Sequence, residues 1–270
     1  MWAVHLALSL MALYAAIIAG MYFAQTWLLF PTALARIARV QTPASTQRLE
    51  VQTSDGESLI GMRIRGTASG RPTLLGFGGN AWNAKVTALT LHNLLPEHDV
   101  VAFHYRGYVP SSGRPSAQAL LSDSLVVFDC LRQALAHKRI VLVGFSIGSG
   151  VAAYLARHRP VAGLILVTPF DSLETLAQDL YWWAPVGLLL RHRMPTIEFV
   201  RGSIAPTALI LAERDAVVPA RRSAPLRPAI KRLVFARTVD AGHNDIYDHP
   251  AFAAAMREAL AKIEAATWSK

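Results

Sequence analysis

Gly144-Phe145-Ser146-Ile147-Gly148 sets a serine between two glycines at the end of a short apolar run, Ile140 to Val143. A strand, a sharp turn and a helix start are written this way. The turn forces the serine into a strained backbone conformation, and the small flanking residues keep side chains from colliding with the strand and helix that it joins. Ser146 then stands above a sheet as a nucleophile, which needs a base to take its proton and an acid to orient that base. Asp215 follows the apolar run Thr207 to Leu211, and His243 follows the run Arg232 to Phe235 in Asp240-Ala241-Gly242-His243-Asn244. The order serine, aspartate, histidine differs from the two other well-known triad orders.

Asp215 has two rivals: a role as cap of a helix beginning near Pro219, and Asp171, which follows the strand ending at Thr168 and could supply the acid instead. His243 competes with His104, His192 and His249, and is favoured by the glycine before it and the turn-forming residues after it. The developing oxyanion needs two donors, which come from the backbone after the nucleophile and from the loop after an earlier strand. Here those are the amides of Ile147 and of Asn80, in Gly78-Gly79-Asn80-Ala81. A helix cap by Asn80 is compatible with this.

These residues must be held by a scaffold, and the chain supplies one. Strands are expected at Leu49–Thr53, Leu59–Arg65, Thr73–Phe77, Val100–Tyr105, Ile140–Gly144, Val161–Val167, Thr207–Leu211 and Arg232–Phe235, with helices between most of them. The first two alternate and flank Ser54-Asp55-Gly56, a hairpin signal; the later ones are continuous apolar runs, as in a parallel sheet covered on both faces. The fold class is therefore α/β, with a mostly parallel central sheet. Residues 170–203 break the alternation and are expected to form a small cap. Tyr181, Trp182, Trp183, the run Val186 to Leu190 and Met194 make it apolar enough to line an acyl pocket, to glue the cap to the sheet, or to dip into a membrane. The core reading is preferred; Gly79, Trp182 and Trp183 are the candidate substrate contacts. Ala251 to Ile263 reads as a closing amphipathic helix, and Cys130, in the helical run Ala117 to Ala136, as a small core residue.

The first 35 residues contain no Asp, Glu, Lys or Arg, and Trp2 to Phe30 is long enough to cross a bilayer. An anchor at 1–35 and a catalytic domain at 36–270 follow. A cleaved signal peptide is the rival, since Ala33-Leu34-Ala35 resembles a cleavage site, although no basic n-region precedes the apolar run. Arg36, Arg39 and Arg48 follow the span and no basic residue of that kind precedes it, which puts the catalytic domain on the cytoplasmic side. Of the 270 residues 53% are hydrophobic and 17% charged, enough for a large single core. The net charge of +9 is scattered in short clusters such as Arg191-His192-Arg193 and Arg221-Arg222, which suits anionic lipid rather than nucleic acid. One cysteine excludes an internal disulfide, and no metal-ligand or phosphate-loop spacing occurs, so no cofactor is expected. Protein partners leave no signature.

From about Trp27 onward the chain resembles the α/β-hydrolase superfamily. Within it, the chain is similar to membrane-anchored, small-capped serine hydrolases that include depalmitoylase-like proteins. The shared features are Gly78-Gly79-Asn80-Ala81-Trp82-Asn83, against a family pattern His-Gly-Asn-Ala-Gly-Asn; Tyr105-Arg106-Gly107-Tyr108 with a Ser-x-Gly-x-Pro-Ser turn ending at Ser116; and Leu28-Leu29-Phe30-Pro31. Two departures stand out: Gly78 in place of His, expected to loosen the oxyanion loop, and Val109-Pro110 in a turn that is usually Gly-x-Ser. The function expected is hydrolysis of carboxylic esters or thioesters of a small-molecule or lipid-like substrate through an acyl-enzyme. An acyltransferase with the same triad, or a silent membrane-tethered scaffold, are the alternatives.

Overall fold

The computed structural model describes residues 1–37, 40–135 and 139–268; Arg39 lies outside them. Helix α1, Trp2–Leu29, runs about 42 Å, longer than the ~30 Å hydrocarbon core of a bilayer. It carries no charged side chain in its first or last turn, and its most apolar window is unburied by the protein. It is long and apolar enough to anchor the chain in a membrane. The chain turns at Phe30 and Pro31 into the short α2, Thr32–Ile37, and there joins the body: Phe30 and Ala35 are buried in the core.

Among the described residues eight strands follow: β1 Gln47–Gln52, β2 Ser58–Ile64, β3 Thr73–Phe77, β4 Val100–Phe103, β5 Ile140–Phe145, β6 Gly163–Val167, β7 Thr207–Ala212 and β8 Leu233–Val239. They form one sheet in the order β1-β2-β4-β3-β5-β6-β7-β8. Among these strands β2 alone runs against the rest, pairing antiparallel with β1 through the expected hairpin and with β4; from β4 to β8 every pairing is parallel. β3, β5 and β6 are buried at every position, which is why they read as unbroken apolar runs rather than alternating ones.

Helices cover both faces. α3 (Ala84–Leu94) and the last helix, Pro250–Trp268, pack on one; α4 (Ala117–Ala134) and α5 (Ile147–His158) pack on the other. Between β6 and β7 lie α6 (Leu173–Leu180), α7 (Val186–Leu189) and α8 (Thr196–Gly202). Two short turns of helix, α9 (Ala220–Ser223) and α10 (Leu226–Ala229), precede β8, so the last helix is α11. Cys130 is exposed, not a core residue as expected. The buried stripe of α4 runs through Leu120, Ser124, Val127, Phe128 and Leu131, and position 130 falls off that spacing.

A buried ion pair pins the loop after β4 to α4. Arg106 donates from Nε and Nη2 to both carboxylate oxygens of Asp123, at 3.0 and 2.6 Å, with both side chains almost wholly buried. Arg106→Ala leaves that carboxylate uncompensated, and is expected to cost about 3–5 kcal/mol in chemical denaturation, against under about 1 kcal/mol for removal of an exposed pair such as Arg214–Asp240.

Candidate active site

The sheet reverses its direction of growth between β3 and β5, and crevices at such points, outside the carboxyl ends of strands, are where ligands bind in open α/β folds. Ser146 occupies this position. Its backbone has φ 51° and ψ −117°, a region that costs about 1–3 kcal/mol and must be held by its surroundings. The holding contacts are visible. The Ser146 amide donates to Val167 O at 2.9 Å. A Cβ on Gly148 would come within 2.2 Å of Phe77 O, and one on Gly144 within 2.4 Å of Gly148 O, so neither glycine can carry a side chain without opening the turn.

Asp215, after β7, and His243, after β8, converge on the serine. His243 Nε2 lies 3.1 Å from Ser146 Oγ, and His243 Nδ1 lies 2.7 Å from Asp215 Oδ2. An ionised carboxylate only accepts, so Nδ1 carries the proton and the Nε2 lone pair faces the serine hydroxyl. The imidazole is 8% exposed and the Asp215 side chain 5%, so bulk water does not compete for the contact. The other oxygen, Asp215 Oδ1, accepts from the amides of Val217 and Val218 at 2.9 and 2.7 Å, so the carboxylate is held independently of the histidine.

None of the rivals takes part in this set of contacts. Asp171 accepts from the Ser172 amide and Thr175 Oγ1 at the start of α6, and from Arg222. His104 is buried and pulled down to about 4 by burial, which keeps it neutral. His192 Nδ1 accepts from the Ala117 amide and its Nε2 meets Thr26 Oγ1; His249 Nδ1 accepts from the Ala251 amide.

The Gly78–Ala81 loop lies over the serine: a Cβ on Gly79 would sit 3.9 Å from Ser146 Cβ. Among the described residues the amides of Asn80 and Ile147 have no protein acceptor. Asn83, not Asn80, caps α3, taking the Val86 amide on Oδ1 and donating from Nδ2 to Ala35 O. The loop is not loosened by Gly78. A Cβ there would meet Thr87 Oγ1 at 2.5 Å and Trp82 Cβ at 3.0 Å, so Trp82 fills the space, tilted against Phe145 and edge-on to Tyr247. Two tyrosines brace it from the far side. Tyr105 donates to Gly78 O at 2.8 Å and Tyr108 to Asn80 O at 2.6 Å; burial raises both phenols, which therefore stay protonated as donors. The Tyr-Arg-Gly-Tyr motif is visible in the sequence, but these contacts to backbone carbonyls of a distant loop are not. Tyr108→Phe is expected to lower kcat about tenfold, with KM within about twofold, in steady-state assays on a soluble ester, because the loop loses its hold on the oxyanion position without losing substrate contacts.

Ser146 and His243 open into a cavity of about 510 Å³, lined mainly by apolar groups. Gly79, Asn80, Trp82 and Ile147 border it near the serine; Leu173, Leu176, Tyr181, Val186 and Leu189 form its roof. Neither Trp182 nor Trp183 lines it. Trp182 is 82% exposed, and Trp183 (38% exposed) packs its ring on Tyr14 of α1, whose hydroxyl donates to Trp183 O at 3.0 Å. The adjacent Tyr181 turns inward instead, since the chain leaves α6 at that residue and successive side chains diverge. Met194 is core, fully buried against Gly150 of α5. One side of the wall belongs to α1, from Ile18 to Leu29, a contribution that no local pattern in the sequence announces.

Comparison with known proteins agrees with this geometry. Residues 74–195 match the family model of the alpha/beta hydrolase fold. The uncharacterized protein Rv2307c of Mycobacterium tuberculosis is 37% identical over 204 residues, 72% of this chain and 71% of that one. Lysophosphatidylserine lipase ABHD12 of Rattus norvegicus is 27% identical over 234 residues, 73% of this chain and 58% of that protein's length. Among solved structures, a membrane phospholipase A described as a bacterial virulence factor superposes with a TM-score of 0.64 at 18% identity, covering 98% of this chain and 99% of the other, a likeness of fold alone.

Proposed function

This chain belongs to the α/β-hydrolase fold family, and on that premise we propose that it is a serine hydrolase whose substrate is a long-chain acyl ester of a membrane lipid. The observation that carries the reading is the Ser146–His243–Asp215 relay opening into an apolar cavity walled partly by the anchor helix. His243 Nε2 takes the Ser146 proton as Oγ attacks the acyl carbon, and the amides of Asn80 and Ile147 hold the oxyanion. Asp215 keeps the imidazole in the required tautomer and stabilises the imidazolium. The same proton then passes to the leaving oxygen, and water, deprotonated by His243, releases the acid from Ser146.

A carboxylic ester of a single-chain lipid is favoured because curated relatives such as ABHD12 of Rattus norvegicus are named lysophosphatidylserine lipases. The depalmitoylase-like resemblance points instead to an acyl thioester, whose thiolate leaving group depends less on protonation by His243. In this reading residues 1–35 are the anchor, 36–270 the catalytic domain and 170–203 its cap. Arg36, Arg39 and Arg48 after the span favour a cytoplasmic catalytic face. The deciding experiment gives the full-length protein the same palmitoyl chain as a lysophospholipid ester and as a cysteinyl thioester. A kcat/KM at least about tenfold higher on the ester is expected; preference for the thioester reverses the substrate assignment.

A further inference from the structure

Along α1, residues Ile18, Met21, Tyr22, Gln25, Leu28 and Leu29 all face the cavity, a stretch of about 16 Å, the length of an extended acyl chain rather than of a short acyl group. The Leu29 end is the one nearer the serine, because the chain leaving α1 enters the core at Phe30 and Ala35, where Asn83, beside the oxyanion loop, bonds Ala35 O.

Among the described residues the polar contacts between α1 and the cap gather at two levels, Tyr14 and Tyr22 to Thr26; at the second, Arg191 Nη2 donates to Tyr22 O at 3.3 Å and Thr26 Oγ1 meets His192 Nε2 at 2.7 Å. Gln25, buried on an otherwise apolar helix, donates to Leu189 O at 3.3 Å and accepts from the Arg191 amide at 2.8 Å. Tyr14 bonds Trp183 O, as described. Between these two ties, Ile18 and Met21 offer only apolar side chains, so a hydrocarbon chain passing there breaks no hydrogen bond.

The depth of this gap follows from the ring and charge pattern. Trp2 and Tyr22 are about 30 Å apart along α1, the thickness of the hydrocarbon core, with aromatic rings at both levels. The Arg191 guanidinium stacks over the Tyr22 ring at 4.9 Å, at the level where a charge can still reach water. Tyr14 and its partner Trp183 then lie about 12 Å further toward the bilayer centre. The solvent-facing side of the same segment carries Trp182 and Leu188, the latter 87% exposed, side chains suited to lipid and not to water.

We propose that α1 is the outer wall of the acyl-binding site as well as an anchor, and that a lipid lying in the same leaflet slides its acyl chain sideways between α1 and residues 181–189 to reach Ser146. The proposal rests on the catalytic reading above and adds the route and the chain-length determinant. It is tested in phosphatidylcholine proteoliposomes of the full-length protein, measuring kcat/KM for p-nitrophenyl palmitate in the bilayer and for soluble p-nitrophenyl butyrate. Met21→Trp, which fills the wall, is expected to lower the palmitate-to-butyrate ratio at least about tenfold. Ala16→Trp, about 8 Å away along α1 on an exposed face outside the cavity lining, leaves the ratio within about twofold of wild type. An unchanged ratio in Met21→Trp, or the same fall in Ala16→Trp, overturns the proposal. Wild type inactive on both esters would refute the catalytic reading itself.

Discussion

Ser146→Ala is expected to lower kcat on a soluble ester about a million-fold while leaving the thermal midpoint unchanged or raised. The size of the loss follows from what disappears: the nucleophile is the only group placed to form the acyl-enzyme, and nucleophile and base act as one unit, so removing either forfeits most of the catalysis. The sign of the stability change follows from the backbone. Ser146 sits at φ 51° because the Val167 carbonyl and the close approach of Gly148 to Phe77 hold it there, not because its side chain is packed. His243→Ala should match the loss in kcat. A variant retaining more than about one hundredth of wild-type turnover at either position would contradict the relay.

Asp215→Asn is the second large effect, with an expected fall in kcat of about ten thousand-fold. An asparagine oxygen can still accept from the amides of Val217 and Val218, so the loop and the fold stay as they are. Its amide nitrogen then faces His243 Nδ1 as a donor, and the imidazole must move its proton to Nε2, where it points at Ser146 and can no longer accept. Asp171→Asn separates this from a general effect of lost carboxylates: its contacts are to the start of α6 and Arg222, so turnover should stay within about threefold of wild type. Steady-state kinetics with circular dichroism on the three proteins distinguishes the outcomes.

The scaffold was legible because parallel strands buried on both faces leave unbroken apolar runs, and all eight are present within a few residues of where the sequence puts them. β8 is the exception in length: it continues to Val239 because an edge strand tolerates the half-exposed Arg237 and the exposed Thr238, which break the apolar run. The triad was legible for a related reason, since each member sits in the loop directly after an identifiable strand. What the sequence concealed depends on contacts between distant segments. Trp182 and Trp183 look like pocket aromatics until α1 is seen alongside them, and Met21 looks like one more apolar anchor residue until the cavity reaches it. Tyr105 and Tyr108 act through backbone carbonyls of the Gly78–Ala81 loop, groups that carry no side-chain signature. Gly78 likewise reads as a loss only until Trp82 is found filling the same space.

The most direct test of Ser146 as a nucleophile activated by His243 and Asp215 is intact-mass and peptide analysis of the purified full-length protein after reaction with a fluorophosphonate. One adduct, on the peptide containing Ser146 in wild type and absent from Ser146→Ala, is the predicted result. A folded wild type that gains no adduct, or an adduct that persists in Ser146→Ala, would contradict it.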